Sequence, residues 1–446
     1  MRKLIAIISL YFAVNANAQF TGHSGVYYLG TSDIAIPQST YNNPNISGVV
    51  CRFRWKNLEP FPGVFNWSFI DGEIQKATIA NKKICIQPLD APNWISTSLG
   101  AQGYNYVDGN VNHPTYGQVL TNVVPFDSIY LSRVRNLLLQ LSIKYANNPT
   151  VSYINAIGGQ ISRGMPNDVV TDTTTMATAP FWSTYNYNAD SVAIEMNSMI
   201  DYYMTLFPTT PLWCSVDYVS FEQQASNRAR NYLASLYTNH GIQNYPDRFG
   251  LWREDIAGCN PNLSTLTTTS HWYIMQQNPC RTGAQMLWNV QDGPVRMNQC
   301  GILPNTKSVV LDSAVNKGIA LGMRYIEIYG SDVSDTSLIS SIQQANSNLI
   351  AKGLFCNTAA GLNEPTNDSK FSIYPNPASN QIFIITDLFN NKPFEFALYS
   401  VVGQKMISES NHTKNTIDIS VLENGIYLLE IKFEKMRLTK KVIINH

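Results

Sequence analysis

Short apolar runs of strand length alternate with longer amphipathic stretches from about residue 24 to residue 355. Eight runs read as strands: Gly25–Leu29, Gly48–Arg54, Lys83–Leu89, Val151–Ile157, Pro211–Asp217, Phe249–Glu254, Gly283–Trp288 and Met323–Ile328. Between them apolar residues recur at helical spacing. Leu131, Val134, Leu138, Leu141 and Tyr145 share one helix face, and Pro149 ends that helix before the fourth strand. Met196, Met199, Ile200 and Tyr203 repeat the pattern before the fifth, and Asp312 is placed to cap the helix that runs toward Gly322. Strands alternating with helices predict an α/β fold, a parallel (β/α)8 TIM-like barrel. The polar stretches 96–128 and 163–190 are expected to cross the barrel mouth.

The pattern changes after residue 356. Residues 357–370 (NTAAGLNEPTNDSK) are small and polar, the composition of a linker. From Phe371 the chain turns strand-like, with alternation marked by Ile382, Phe383 and Ile385 and by Ile426, Leu428 and Glu430, and with turns at Gly403 and Asn424-Gly425. That predicts a small all-β domain of the Ig-like sandwich kind. At the other end, Arg2 and Lys3 precede an apolar run from Leu4 to Val14, and Ala16-Asn17-Ala18 supplies the small residues of a cleavage site. Residues 1–18 therefore read as a secretory signal peptide. Neither this run nor any later one is long enough to span a bilayer. The expected division is a signal peptide over 1–18, a barrel over 19–356, a linker over 357–370 and a β domain over 371–446.

Composition narrows the ligand. Basic and acidic residues balance at 31 each, so no net field draws nucleic acid or anionic lipid. Charged residues make up 14% against a usual ~25%, while the chain carries 24 Tyr and 8 Trp. Such a surface suits uncharged polar ligands such as glycans. Among the cysteines, Cys51, Cys85 and Cys214 lie inside strand-like runs and are expected as buried thiols. Cys259, Cys280 and Cys300 lie in loop-like segments and can supply one bridge, its pairing open. No Cys/His spacing points to a metal, and no phosphate loop or Ser-His-Asp spacing to other chemistry, so no cofactor is expected.

Tyr374-Pro375-Asn376-Pro377, Gly403, Gly425-Ile426-Tyr427 and Lys440-Lys441 resemble the C-terminal sorting domain of the type IX secretion system of Bacteroidetes. That resemblance covers residues 371–446. It implies engagement of that machinery by the tail, passage through periplasm and outer membrane, and a secreted or surface-attached product.

The segment Trp55-Lys56-Asn57-Leu58-Glu59-Pro60, the following Pro62-Gly63-Val64-Phe65-Asn66-Trp67, and Pro92-Asn93-Trp94 resemble the early barrel of glycoside hydrolases of the thermophile-type β-galactosidase clan. This implies an oligo- or polysaccharide ligand and two carboxyl groups flanking the scissile bond, an acid after strand four and a Glu after strand seven. Here the first position is held by Gln160 or a neighbour. The second offers Gln285 to Asn289 with no carboxylate before Asp292. A glutamine cannot act as a general acid.

Other strand ends do carry acids. Glu254 and Asp255 follow strand six, Asp217 and Asp90 end strands five and three, and Glu327 sits between Ile326 and Ile328 in strand eight. A carboxylate in an apolar strand is costly to bury without partners, so Glu327 is either a working group or paired with Arg52, Arg54 or Arg324. The expected catalytic set is Glu327 with one of Glu254, Asp255 or Asp292. Trp55 and Trp94 are expected to stack on sugar, with Asp90, Gln160, Gln285, Trp288, Tyr329 and Asp332 as further contacts. Glu59 and Trp67 read as fixing a loop-to-helix junction. The function expected is a secreted glycoside hydrolase working through two carboxylates; the alternative is a degenerate barrel that binds glycan or serves adhesion.

Overall fold

The computed structural model describes residues 20–108, 115–154, 161–162, 165–166, 179–216, 229, 231–291, 293–301, 303–358, 372–376, 378–385, 392–400, 404–433 and 436–446. The chain divides into two compact units, one ending at Thr358 and one beginning at Ala359.

The first unit is a closed barrel of eight parallel strands: β1 (Gly25–Leu29), β2 (Gly48–Arg54), β3 (Lys83–Leu89), β4 (Val151–Ile154), β5 (Leu212–Ser215), β6 (Phe249–Ile256), β7 (Thr282–Met286) and β8 (Met323–Tyr329). Each strand pairs with its sequence neighbours, and β1 closes the ring on β8, with Tyr27 beside Glu327. The helices form where the apolar spacing predicts them. Ser128–Tyr145 buries Leu131, Val134, Leu138, Leu141 and Tyr145, and Asp127 caps its first turn by accepting from the Ile129 and Tyr130 amides. Ala189–Leu206 buries Met196, Met199, Ile200 and Tyr203. One capping expectation is overturned: the helix Lys307–Ala320 starts at Thr306, and Asp312 lies in its middle.

Side-chain alternation splits the strands between two cores. Val49, Cys51, Phe53, Ile84, Ile86, Ile154, Leu212, Leu251, Ile326 and Ile328 belong to the large core between sheet and helices. The opposite positions, Tyr27, Leu29, Val50, Cys85, Tyr153, Trp213, Trp252 and Tyr325, fill the lumen together with Phe20. Five of these rings interlock. Tyr325 stacks on Trp213 at 5.3 Å and meets Tyr27 and Tyr153 edge-on, each at 4.9 Å. Two glycines make room: a Cβ on Gly283 would lie 2.4 Å from the Tyr325 ring, and one on Gly48 would lie 2.5 Å from that of Tyr27. Phe20 closes the floor against Trp213, its carbonyl accepting from Arg324.

Two disulfides brace this unit, Cys259–Cys300 and Cys280–Cys356, one more than the loop cysteines alone suggested. Cys51, Cys85 and Cys214 are buried free thiols. Residues 103–107 and 119–123 form a hairpin in the first polar stretch.

The second unit is an antiparallel sandwich. One sheet has the order β9 (Ser372–Tyr374), β10 (Gln381–Ile385), β13 (Thr416–Asp418). The other runs β12 (Lys405–His412), β11 (Phe394–Ser400), β14 (Gly425–Phe433), β15 (Met436–Ile444). Ile382, Ile384 and Ile417 from one sheet share a core with Phe396, Leu398, Leu429, Ile431 and Val442 from the other. The phase of the alternation read from the sequence is corrected here. β14 buries Tyr427, Leu429, Ile431 and Phe433 and turns Ile426 outward, and Phe383 is exposed while Ile382 and Ile384 are buried.

Candidate functional site

The C-terminal strand ends divide into a braced rim and a polar lumen. β2 ends at Arg54, whose guanidinium bonds Asp33 at 3.2 Å and Asp90 at 3.0 Å; Lys56 reaches the same Asp90 oxygen at 3.3 Å. Asp90 holds a left-handed backbone, φ 46°. It is thus committed to two cations of the rim rather than free for a ligand.

The next turn explains the Trp–Glu motif. Trp55 is fully buried, packs on Tyr130, and donates its indole N–H to Glu59 at 2.8 Å. Glu59, also fully buried, accepts from the Gly63 amide at 2.8 Å and pairs with Arg133. Trp94 donates to the Glu59 carbonyl at 3.0 Å, and the Arg133 guanidinium covers its ring at 5.1 Å. A ring stacks on sugar only with an open face, so the expected sugar platform at Trp55 is overturned, and Arg133 occupies a face of Trp94. Trp67 stacks on Phe65 at 5.3 Å and serves packing.

Above the aromatic plug, six of the strands each add one more inward residue, all polar: Arg52, Gln87, Ser215, Glu254, Gln285 and Glu327. Register sets Arg52 beside Gln87 and Gln285 beside Glu327. Glu327 is fully buried. Its Oε1 accepts from the Trp252 indole at 3.2 Å and from the Tyr325 hydroxyl in a short bond. Burial pushes the Tyr325 hydroxyl well above its usual range, and the Glu327 charge adds to the shift, so Tyr325 stays a donor. Burial lowers the pKa of Arg52, while Tyr329, Glu327, Glu254 and Asp90 counter that loss. At Tyr329 burial raises the pKa, Arg52 and Arg296 oppose it, and Glu254 and Glu327 reinforce it. Glu254 and Glu327 therefore act electrostatically on both Arg52 and Tyr329, with Asp90 adding at Arg52 and Arg296 at Tyr329.

The remaining expected residues fall elsewhere. Asp255, in a bulge and at φ 71°, is held by Arg253 at 3.1 Å, whose guanidinium covers Trp272. It does not join Glu254. Asp332 is fully buried and accepts the Val290 and Gln291 amides at 2.9–3.0 Å, so it shapes the loop after β7 and has no open face for a ligand. Trp288 leans on Tyr329 at 5.8 Å with Arg296 over its ring at 4.1 Å. Asp292, Gln160 and Asp217 lie outside the described residues. Among the described residues no cluster of three or more His, Cys, Asp or Glu could hold a metal ion.

Gln87, Trp252 and Tyr325 were passed over in the sequence because they sit inside strands that read as core. The parity of β3, β6 and β8 relative to their apolar neighbours was the available signal.

Two family models match the chain. Residues 41–157 match one described as beta-galactosidase, and residues 372–445 match the secretion system C-terminal sorting domain. No curated protein matches. Among solved structures, the catalytic domain of a β-amylase from Paenibacillus polymyxa is 11% identical with a TM-score of 0.45, over 75% of this chain and 100% of that one. An endo-β-1,4-glucanase from Xanthomonas axonopodis pv. citri is 9% identical with a TM-score of 0.39, over 72% and 99%. A β-galactosidase from the psychrophilic Marinomonas ef1 is 10% identical with a TM-score of 0.39, over 76% of this chain and 62% of that one. The fold assignment rests on the strand order, not on these similarities.

Proposed function

We propose that the chain is an exported carbohydrate-active protein that cleaves an extracellular glycan at the barrel mouth, with Glu254 and Glu327 as the working carboxylates. The observation that carries this reading is the inward placement of both acids at the strand ends, on the lumen side with Trp252 and Tyr325; their electrostatic action on Arg52 and Tyr329 agrees with it. β6 and β8 are two strand spacings apart, roughly 10 Å between backbones. Their inward side chains approach more closely, since Trp252 of β6 bonds Glu327 of β8 at 3.2 Å. A separation of ~5–10 Å between carboxyls is what two-carboxylate glycoside hydrolysis uses.

The environments suggest a division of labour. Glu327, held by the Trp252 and Tyr325 donors, is suited to stabilise positive charge developing on the sugar. Glu254 is only half-buried and is the carboxyl that can exchange a proton with the glycosidic oxygen. Export is supported by the match of residues 372–445 to the sorting domain.

The test is hydrolysis of a panel of neutral polysaccharides and aryl glycosides by the full chain. E254Q and E327Q are each expected to lower kcat/KM by about 10²–10⁴-fold while leaving binding in place. Gln285, an amide in the strand where the resemblance implies a carboxylate, favours a second reading as a binding protein. Tight glycan binding by the unaltered chain without turnover would establish that reading and reject hydrolysis.

A further inference from the structure

Gln87 is a polar group of the lumen that the proposed chemistry leaves unused. Ile84 and Ile86 of β3 face the helices and Cys85 faces the lumen, so Gln87 points into the lumen as well. It lies beside Arg52, one of the inward residues at the C-terminal strand ends. Its side chain is fully buried, yet neither Nε2 nor Oε1 has a hydrogen-bond partner. An amide stripped of water and given nothing in return destabilises a fold, and native interiors rarely keep one. A leucine of similar size would fill the same space without that penalty. The position is therefore explained by something that enters the mouth and bonds the amide.

We infer that Gln87 is a recognition residue for the sugar ring bound at this mouth, and that its ligand class is a neutral pyranose with two adjacent free hydroxyls. The inference rests on the glycan reading above. An amide offers one donor and one acceptor side by side, and adjacent hydroxyls can accept from the one and donate to the other. Charge selects a neutral sugar. Among the described residues, the inward strand-end positions hold two carboxylates, Glu254 and Glu327, and one guanidinium, that of Arg52, while Asp90 is already met by Arg54 and Lys56. An acidic sugar would meet net negative charge.

The experiment is calorimetric titration of the full chain and of Q87L with galactose, glucose, mannose and xylose, the monodeoxy analogues of whichever binds, and galacturonate. The expected result is that Q87L weakens binding of the preferred sugar roughly 10–100-fold, the worth of two neutral hydrogen bonds. One monodeoxy analogue should lose a comparable factor on the unaltered chain and no further factor on Q87L. Thermal unfolding of unliganded Q87L should occur at or above the temperature of the unaltered chain, because an unpaired amide has been removed.

Equal binding by both proteins overturns the role of Gln87 and leaves the glycan reading standing. Preferred binding of galacturonate overturns the choice of a neutral sugar. A marked fall in the Q87L melting temperature shows that the amide is satisfied within the protein, and also overturns the inference. If the unaltered chain binds no sugar or polysaccharide, the glycan reading itself fails and the inference with it. The deoxy-sugar comparison on the unaltered chain needs no variant, so a misfolded Q87L does not spare the idea.

Discussion

Glu59 is the carboxylate most open to misreading, because it lies in a motif resembling a hydrolase signature and yet is walled off from the mouth. Substituting it by alanine removes the acceptor of three donors: the Arg133 guanidinium, the Trp55 indole N–H and the Gly63 amide. Breaking a buried ion pair from one side costs about 3–5 kcal/mol. Arg133 is 21% exposed, so water recovers part of that loss and the lower end, about 3 kcal/mol, applies to the pair. Trp55 is fully buried, and its orphaned N–H adds about 1 kcal/mol or more. E59A should therefore lose roughly 3–5 kcal/mol, and E59Q, which keeps one acceptor oxygen, about 1–3 kcal/mol. Urea unfolding read by tryptophan emission is suited to the measurement, since the last of the eight tryptophans is Trp288 and the signal reports the barrel alone. If E59Q keeps full stability but loses glycan turnover, the carboxylate faces ligand and the structural account is wrong. An E59A variant within about 1 kcal/mol of the unaltered chain would equally reject the network.

Two further outcomes are expected. Burial, with Lys83 and Arg324 nearby, lowers the His23 pKa from 6.5 to about 4, so the unfolded chain takes up this proton first as pH falls. The stabilisation is full above pH 6.5 and is lost on descending toward pH 4, by at most about 3 kcal/mol and less to the extent that water reaches the ring. Denaturant titrations between these limits should show the unaltered chain losing more stability than H23Q, and parallel losses would refute the assignment. The Cys280–Cys356 bridge spans 76 residues, which by chain entropy restricts the unfolded state by about 4 kcal/mol. The C280S/C356S double variant should unfold at correspondingly lower urea, and a difference under about 1 kcal/mol would mean that the unfolded chain is already constrained there.

Much of the architecture was legible in the chain because periodicity is a local property. β2 and β3 begin and end where the apolar runs do, and the helix positions Leu131 to Tyr145 and Met196 to Tyr203 are buried as their spacing requires. The tail motifs located residues 371–446, but the phase of β14 was misread, since Ile426 and Leu428 are as apolar as the Leu429 and Ile431 that fill the core. A one-residue slip in strand phase exchanges the two faces entirely.

What tertiary structure alone decided is which side chains meet across distant segments. Trp55 was expected to face sugar because it follows a strand tip. Its indole instead bonds Glu59, and Arg133, 74 residues farther on than Glu59, closes the network. Asp332 could not be known to accept the Val290 and Gln291 amides, nor Cys356 to pair with Cys280. Glu327 was singled out by the cost of burying a charge in an apolar strand, and that reasoning is local. Its actual partners, Trp252 and Tyr325, depend on barrel closure and inward parity. Hydrophobic periodicity is written along the chain, whereas hydrogen bonds and ion pairs act over about 3 Å and are specified only when closure brings separate strand ends together.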